Sequence, residues 1–504
     1  MAKLLMIQGT SSNCGKSLLV TALCRIAKQR GIKVAPFKAQ NMSLQSFVTE
    51  DGGEIALAQA IQAEAAGIVP LIHMNPILLK PAGQQGTQVV VHGKLYKTLK
   101  LNDFYWEKKK LWDAVKISLD YLTKEYELLI IEGAGSPAEI NLIENDIVNM
   151  AVADYLKAPV LIVGDIDRGG VFASIYGTVK LLEEYDHLIK GFIINKFRGY
   201  IDILSPGIKK LEEMIKKPCV GVIPYIHETG IADEDGISLR LSNSFILKSD
   251  AAVKIVVLKL RYISNFSDFE PLRFEPDVEL VYSLRKEDLI NADIIIIPGS
   301  KNTFEDLTLL KQLKIDEILK ELAKNKVEII GICGGFQMLG EKLIDPYMVE
   351  SSFFDLCMTE GRCHKEINGI GLLPVKTVFY PDKITTQVEG YLCSEPLIKI
   401  TGYEIHKGIS YGPMRLFKIK RKSTGQILFD GIVCENVWGT YIHGLFENDS
   451  LRRWLINRHR IKKGLNPIEY TFSWKKLKES FLDSISEIVE KHINMDKIWE
   501  IAGI

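Results

Sequence analysis

The stretch that decides the fold is "KLLMIQGTSSNCGKSLLV", residues 3–20. An apolar run ends at Gly9, a polar loop follows, and a helical pattern begins near Lys16. This order predicts a buried strand, a loop and a helix whose backbone N–H groups can hold phosphates. Six positions separate Gly9 from Gly15, one more than in the common P-loop. We therefore predict a nucleotide site in which Lys16 neutralises the β and γ phosphates and the Ser17 hydroxyl binds Mg²⁺.

The rest of the nucleotide site is predicted from the loop and from acids near other strands. The loop residues assigned to the nucleotide are Gly9, Thr10, Asn13, Gly15, Lys16 and Ser17. In "LLIIEGAGS", Glu132 follows a buried apolar run, where a carboxylate that holds magnesium belongs. Asp51 and Glu54, in "TEDGGEIA", are further candidates for metal or substrate binding, with solvated turn acids as the alternative. We assign the metal to Ser17, Asp51 and Glu132.

Two later strand ends carry polar residues to the same predicted sheet edge. "GDIDRGG" supplies Asp165, Asp167 and Arg168, which can organise a transferring phosphate or an anionic substrate. "FIINKFRG" ends the next strand with Asn195 and Lys196. This pair resembles the base-reading Asn-Lys of related nucleotide-binding proteins, so Asn195 is assigned to the nucleotide.

The order of apolar and helical stretches predicts an α/β protein with two doubly wound domains. A chain of 504 residues exceeds what one hydrophobic core usually supports. Strand-like runs alternate with helical stretches up to about residue 223, which is typical of a parallel sheet covered by helices. The alternation of strand-like and helical stretches begins again at "VKIVVLKL". A strand-prone region over 369–438 predicts hairpins. The expected division is a nucleotide domain over 1–235, a linker over 236–250, a second domain over 251–449 and a helical tail over 450–504.

Composition argues against several classes of partner. The chain has 63 Lys plus Arg and 63 Asp plus Glu, and an excess of positive charge would be expected for nucleic-acid or membrane-surface binding. No apolar stretch is long enough to span a bilayer and no signal sequence precedes the first loop, so we expect a cytoplasmic protein. The eight cysteines are scattered without a CxxC pair. Most of them are expected to be small core residues.

Cys333 is the exception, because "EIIGICGGFQMLG" places it between a buried strand and a helix, among glycines. Such a sharp turn exposes the sulfur, the helix N-terminus favours the thiolate, and the following N–H groups can form an oxyanion hole. A nucleophilic thiol needs a base. "WGTYIHGLFEN" offers His443 and "GYEIHKG" offers His406 beside Glu404, and the chemistry of the residues leaves both open.

Residues 251–447 resemble the class I glutamine amidotransferases, through "PGS" near residue 298, the Cys333 elbow and the late His443. The resemblance implies that Cys333 attacks the side-chain amide of L-glutamine and releases ammonia, with His443 as its base. It also implies an oxyanion site at Gly299 and Gly334. That family has a glutamate two positions after the histidine, whereas this chain has Leu445. Whether Glu447, Glu404 or no residue orients His443 stays open at the level of sequence.

The first loop resembles the dethiobiotin synthetase branch of P-loop proteins, whose members activate a carboxylate with ATP. Over nearly its whole length the chain resembles the cobyric acid synthases, through "KAQNMSLQS", "MNPILLKP", "EGAGSPAEINL", "DIDRGGVFAS", "ISNFSDFEPL", "PGSKNT" and "GYEIHKG". This implies ATP- and glutamine-dependent amidation of the b, d, e and g carboxylates of adenosylcobyrinic acid a,c-diamide, through acyl phosphates, in cobalamin synthesis. Six residues are expected near the phosphates or the corrinoid: Lys38, Gln40, Asn41, Ser43, Asp167 and Arg168.

Two alternatives follow from the same residues. Cobyrinic acid a,c-diamide synthase shares the two-domain plan but amidates other carboxylates. The other alternative is a regulatory or partition ATPase with a degenerate amidotransferase domain. A degenerate domain should have lost Cys333 or His443, and both are present. The extra lysine of the partition ATPases would fall at Ser11 and is absent, which weakens this alternative.

Overall fold

The structure is a computed structural model that describes residues 2–81, 86–99, 101–227, 251–350 and 366–504. Strands and helices alternate along these residues. The first half contains β1 (Lys3–Gly9), α1 (Lys16–Gln29), β2 (Val34–Phe37), β3 (Gln40–Met42), β4 (Ser46–Val48), β5 (Glu54–Ala56), α2 (Leu57–Ala66), β6 (Ile77–Pro81), β7 (Thr87–Val91), β8 (Lys94–Leu99), α3 (Leu101–Glu125), β9 (Leu128–Glu132), α4 (Met150–Leu156), β10 (Val160–Asp165), α5 (Val171–Leu181), β11 (Ile189–Phe197), α6 (Ile201–Ile215) and β12 (Cys219–Pro224).

The second half contains β13 (Val253–Leu258), β14 (Ile263–Ser264), α7 (Glu270–Arg273), β15 (Val278–Ser283), α8 (Lys286–Ile290), β16 (Ile294–Ile297), β17 (Gly299–Ser300), α9 (Thr303–Gln312), α10 (Ile315–Lys324), β18 (Glu328–Ile332), α11 (Gly334–Leu339), β19 (Lys342–Ile344), β20 (Glu366–Asn368), β21 (Lys376–Leu392), β22 (Glu395–Tyr411), β23 (Phe417–Arg421), β24 (Ile427–Asp430), β25 (Ile432–Cys434), β26 (Val437–Thr440), α12 (Asp449–Lys462), α13 (Trp474–His492) and α14 (Met495–Ala502).

The first sheet is parallel throughout, with strand order β12-β11-β10-β1-β9-β2. Its strands are apolar on both faces because helices cover both: α3 to α6 pack on one face, and α1 packs on the other. Since the strands are parallel, their carboxyl ends meet at one edge, where Ile7 pairs with Glu132 and Asp165 with Asn195. This edge carries the loop that follows Gly9.

A second sheet has the order β15-β13-β16-β18-β26-β25 and is parallel except for β25. Beside it, β21 and β22 form a hairpin of two 17-residue strands. The fold class predicted from the sequence, two doubly wound α/β domains, is confirmed. The linker expected over 236–250 lies outside the described residues, as do Cys357 and Cys363, and the proposed division at 235, 251 and 449 stays a prediction.

The three C-terminal helices are divided between the two cores. Leu451 and Leu455 of α12 are buried in the core that contains the second sheet. In contrast, side chains of α13 and α14, such as Leu482 and Ile498, are buried against β1 and α1. The tail therefore returns to the first sheet. Within the described part of the chain, every helix is too short or too polar to cross a bilayer.

Candidate active sites

The loop between β1 and α1 is held in a compact form by the lysine that it carries. The Lys16 ammonium donates to the carbonyl oxygens of Ser11, at 2.9 Å, and Gly135, at 3.0 Å. A Cβ at Gly9 would lie 2.2 Å from the Cys14 sulfur, so only glycine fits there. Gly15 has a φ of 100°, which favours glycine. The loop backbone is therefore packed tightly around the Lys16 side chain.

Glu132 is the centre of the nucleotide site, because three side chains converge on its buried carboxylate. The Ser17 hydroxyl donates to it at 2.8 Å, the Lys38 ammonium at 2.8 Å and the Gln62 amide at 2.6 Å. Burial acts to raise the pKa of Glu132, but the Lys38 charge and these hydrogen bonds lower it below its usual value. The carboxylate is therefore ionised at neutral pH. Ser17 and Glu132 together offer the oxygen ligands that Mg²⁺ prefers, so they fit this ion.

A cavity of about 1210 Å³ opens beside this carboxylate. Twelve of the residues predicted for the nucleotide, the metal or the acceptor line it: Thr10, Asn13, Gly15, Lys16, Ser17, Lys38, Gln40, Asn41, Glu132, Asp167, Arg168 and Asn195. The cavity is larger than a typical small-ligand site, which leaves room for a nucleotide and for part of a bulky acceptor. Among the described residues, the buried Gln40 Oε1 has no hydrogen-bond partner, as expected for an atom that meets a ligand.

Two residues predicted for the metal or the acceptor, Asp51 and Ser43, do not line the cavity. Asp51 is exposed in the turn between β4 and β5, where it accepts hydrogen bonds from the Thr49 hydroxyl and, at 3.4 Å, from the Gly53 N–H. The structure does not bring it to Ser17 and Glu132. Ser43 is buried and does not line the cavity, and its hydroxyl donates to the Gln45 carbonyl at 3.1 Å.

Glu54, the other acid of that turn region, is buried at the interface between the two halves of the chain. It pairs with Lys80 of the first half and, at 2.5 Å, with Lys383 of β21. Burial acts to raise the pKa of Glu54, but these two ammonium groups lower it well below its usual value. Its carboxylate is therefore committed to an ion-pair cluster outside the cavity.

Asn195 lies beneath the phosphate loop. Its side-chain amide donates to the Cys14 carbonyl at 2.8 Å, and a Cβ on Gly15 would clash with it at 2.0 Å. Next to it, Lys196 bridges the Asn13 carbonyl, at 2.6 Å, and the Asp165 carboxylate, at 2.8 Å. In this structure both residues brace the loop.

The second site is built on Cys333, which sits between β18 and α11 with φ 52° and ψ −106°. A positive φ is rare for a residue with a side chain and is typical of a strained nucleophile elbow. Small neighbours are required, since a Cβ on Gly334 would lie 2.8 Å from the Ser300 nitrogen. A Cβ on Gly299 would lie 3.0 Å from His443 Cε1. Both glycines predicted for the oxyanion therefore flank the region between the thiol and the histidine.

Asp268 is the residue that orients His443. Its Oδ2 lies 2.6 Å from His443 Nδ1, and its Oδ1 accepts from the Gly444 N–H at 3.0 Å. Burial acts to lower the pKa of His443, but the charges of Asp268 and Cys333 raise it to about 10. The histidine is therefore an imidazolium at neutral pH, stabilised by Asp268 and by Cys333. The sequence alone assigns no role to Asp268, although the residue stands within "ISNFSDFEPL".

Glu447 and Glu404, the other candidates for orienting His443, and His406, the other candidate partner of Cys333, make contacts elsewhere. Glu447 pairs with Lys478 at 3.1 Å. Glu404 is held by the Arg421 guanidinium at 2.6 and 2.8 Å. His406 stacks on Tyr441 with ring centroids 3.8 Å apart, and its Nδ1 lies 2.6 Å from the Gly408 carbonyl oxygen. These contacts favour His443 over His406 as the partner of Cys333, which stays a proposal.

The two sites define a class of protein, a glutamine amidotransferase joined to a P-loop nucleotide-binding domain. Residues 5–239 match the CobQ/CobB/MinD/ParA nucleotide binding domain family, and residues 254–451 match the CobB/CobQ-like glutamine amidotransferase domain family. The chain is 77% identical to the cobyric acid synthase of Thermodesulfovibrio yellowstonii, over all of both chains. It is 46% identical to those of Caldanaerobacter subterraneus, over 99% of each chain, and Clostridium botulinum (strain Loch Maree / Type A3), over all of both. The chain belongs to the cobyric acid synthase family, and it is an ATP-dependent, glutamine-hydrolysing amidoligase.

Replacing Asp268 with asparagine is expected to lower the kcat of glutamine hydrolysis by about 10²-fold or more, since the histidine loses the carboxylate that orients it. The imidazolium also loses a stabilising charge, so the pKa of His443 falls. The alkaline limb of the rate profile, where the imidazolium deprotonates, should therefore move to lower pH. Amidation driven by ammonium chloride should not change. The measurement is the rate of glutamate release from pH 6 to 10.

The matched control is Asp496→Asn, at an exposed carboxylate on α14. It should retain the wild-type rate and pH profile. An unchanged profile in Asp268→Asn would remove Asp268 from the site.

Proposed function

We propose that the chain amidates the b, d, e and g carboxylates of adenosylcobyrinic acid a,c-diamide, with Mg-ATP as the activating agent and glutamine as the source of nitrogen. The observation that carries this proposal is the presence, in one chain, of a phosphate loop centred on Glu132 and a thiol site made of Cys333, His443 and Asp268. The first suits activation of a carboxylate, and the second suits release of ammonia. An intact thiol site also argues against a degenerate amidotransferase domain.

At the nucleotide site, Lys16 and the loop N–H groups would hold the β and γ phosphates, and Ser17 with Glu132 would hold Mg²⁺. When bound, the ion neutralises charge on the transferring phosphate. Lys38 and Arg168 offer positive charge at the cavity wall for an anionic acceptor. A carboxylate oxygen of the corrinoid attacks the γ phosphorus, which gives an acyl phosphate and ADP. Ammonia then attacks the acyl carbon and expels inorganic phosphate, so that an amide remains.

At the thiol site, the Cys333 thiolate attacks the side-chain carbonyl carbon of glutamine. The backbone N–H groups around Gly299 and Gly334 stabilise the oxyanion that develops. The His443 imidazolium, oriented by Asp268, gives its proton to the leaving nitrogen, and ammonia departs. The histidine then takes a proton from water as it hydrolyses the glutamyl thioester, which restores the thiol site and releases glutamate.

Mass spectrometry of adenosylcobyrinic acid a,c-diamide incubated with the enzyme, Mg-ATP and glutamine tests this function. Each amidation replaces a hydroxyl group with an amino group and lowers the mass by about one unit, so four successive decrements are expected. EDTA should stop the series if Ser17 and Glu132 bind Mg²⁺. A chain inert toward this substrate that converts cobyrinic acid twice would instead be an a,c-diamide synthase. Inertness toward both corrinoids would overturn the choice of acceptor.

A further inference from the structure

The hairpin formed by β4 and β5 is anchored at both ends in the nucleotide site. On its N-terminal side, β3 supplies Gln40 and Asn41 to the cavity wall. On its C-terminal side, α2 supplies Gln62, which donates to Glu132 at 2.6 Å, and Gln59, which accepts from the Asn41 amide at 2.9 Å. A ligand that moves the Glu132 carboxylate or the wall of the cavity therefore acts on both ends of the hairpin.

The start of this hairpin is hydrogen-bonded to the amidotransferase half of the chain. The Gln45 side-chain oxygen accepts from the Ser267 N–H at 3.0 Å. The Ser46 N–H donates to Asn265 Oδ1 at 3.4 Å, and the Ser46 carbonyl accepts from the Tyr403 hydroxyl at 3.2 Å. Gln45 and Ser46 are each only 1% exposed. These hydrogen bonds are shielded from water and depend on the position of the hairpin.

The same partners touch the catalytic histidine and its carboxylate. The Tyr403 ring stacks on the His443 ring, with centroids 5.3 Å apart and planes 19° apart, and the two backbones exchange hydrogen bonds of 3.1 and 2.8 Å. The Asn265 amide donates to the Tyr403 hydroxyl at 3.0 Å, and the Asn265 carbonyl accepts from the Asp268 N–H at 3.0 Å. Only Asn265 and Tyr403 separate Ser46 from the Asp268–His443 pair.

We propose that Tyr403 is a positioning residue of the thiol site, and that Gln45 and Ser46 hold it in place according to the occupancy of the nucleotide cavity. A ligand in the cavity would fix the position of the hairpin, and the hairpin would fix the position of the Tyr403 ring. The ring would then align His443 with Cys333. Glutamine hydrolysis then proceeds when an acceptor is ready for ammonia. This inference rests on the proposed function, because the cavity must bind Mg-ATP and the corrinoid.

The test compares glutamate release in two conditions: glutamine alone, and glutamine with Mg-ATP and adenosylcobyrinic acid a,c-diamide. The ratio of the two kcat values measures how far occupancy of the cavity accelerates hydrolysis, and we expect it to exceed about 5-fold in the wild-type enzyme, a factor at the low end of coupling between two binding sites. Tyr403→Phe keeps the stacked ring but removes the hydroxyl, and Gln45→Ala removes the acceptor of the Ser267 N–H. We expect the ratio to fall below about twofold in both variants, through kcat rather than KM. Amidation driven by ammonium chloride should stay at the wild-type rate.

Tyr391→Phe on β21 and Gln312→Ala at the end of α9, both distant in sequence from the hairpin, are the matched controls and should keep the wild-type ratio. The inference is overturned by a wild-type ratio near one, by an unchanged ratio in Tyr403→Phe and Gln45→Ala, or by an equal loss of rate in both conditions. Failure of the wild-type enzyme to amidate the corrinoid with ammonium chloride would instead count against the proposed function. The two failures are therefore distinguishable.

Discussion

Replacing Cys333 with alanine is expected to lower glutamine-dependent amidation by more than about 10³-fold, because the thiol is the only nucleophile proposed to release ammonia. Amidation driven by ammonium chloride should continue at the wild-type rate, since Glu132 and the phosphate loop lie in the other half of the chain. The measurement is corrinoid amidation, followed by mass spectrometry, with each nitrogen source in turn. Glutamate release should be lost in parallel.

Cys434→Ala provides the matched control, because this cysteine lies on β25 at the edge of the second sheet. It should leave both activities intact. If Cys333→Ala lost amidation with ammonium chloride as well, the thiol and the phosphate loop could not be separate sites.

Replacing Lys16 with alanine is expected to lower amidation by about 10²- to 10⁴-fold with either nitrogen source. The variant loses the charge that faces the phosphates, and the loop loses the two hydrogen bonds to Ser11 and Gly135. Without an acyl phosphate, added ammonia has nothing to attack. Glutamate release from glutamine alone should persist, because Cys333 is untouched.

The control for this variant is Lys28→Ala, an exposed lysine at the other end of the same helix. It should amidate the corrinoid at the wild-type rate. Unchanged turnover in Lys16→Ala with ammonium chloride would remove the phosphate-loop assignment.

The fold class could be predicted from the sequence, and so could the meeting of several polar residues at one sheet edge, for a physical reason. Buried parallel strands are continuous apolar runs, and the polar residues that follow them must meet at one sheet edge. Glu132 and Ser17 could therefore be placed together although they are 115 positions apart. Asp51 follows no such strand. It lies in a turn, whose direction depends on packing that local sequence does not encode.

Asp268 escaped prediction for a related reason. It is 175 positions before His443, in a short segment without a regular period, and the family pattern directs attention to a position after the histidine. Only the packing of that segment against the strand end brings the carboxylate to Nδ1. The sequence also could not show which core each of the C-terminal helices packs against. Their helical pattern is local, whereas their choice between two cores is set by tertiary contacts.

The return of α13 and α14 to the first sheet has a consequence for how the protein is made. Arg25 pairs with Asp483, 458 positions later, and Leu482, Ile498 and Trp499 complete the core around β1 and α1. The nucleotide domain is translated before the second half of the chain, yet part of its apolar surface stays uncovered until Ile498 and Trp499 have been made. Folding of this core therefore cannot finish before these C-terminal helices have been translated.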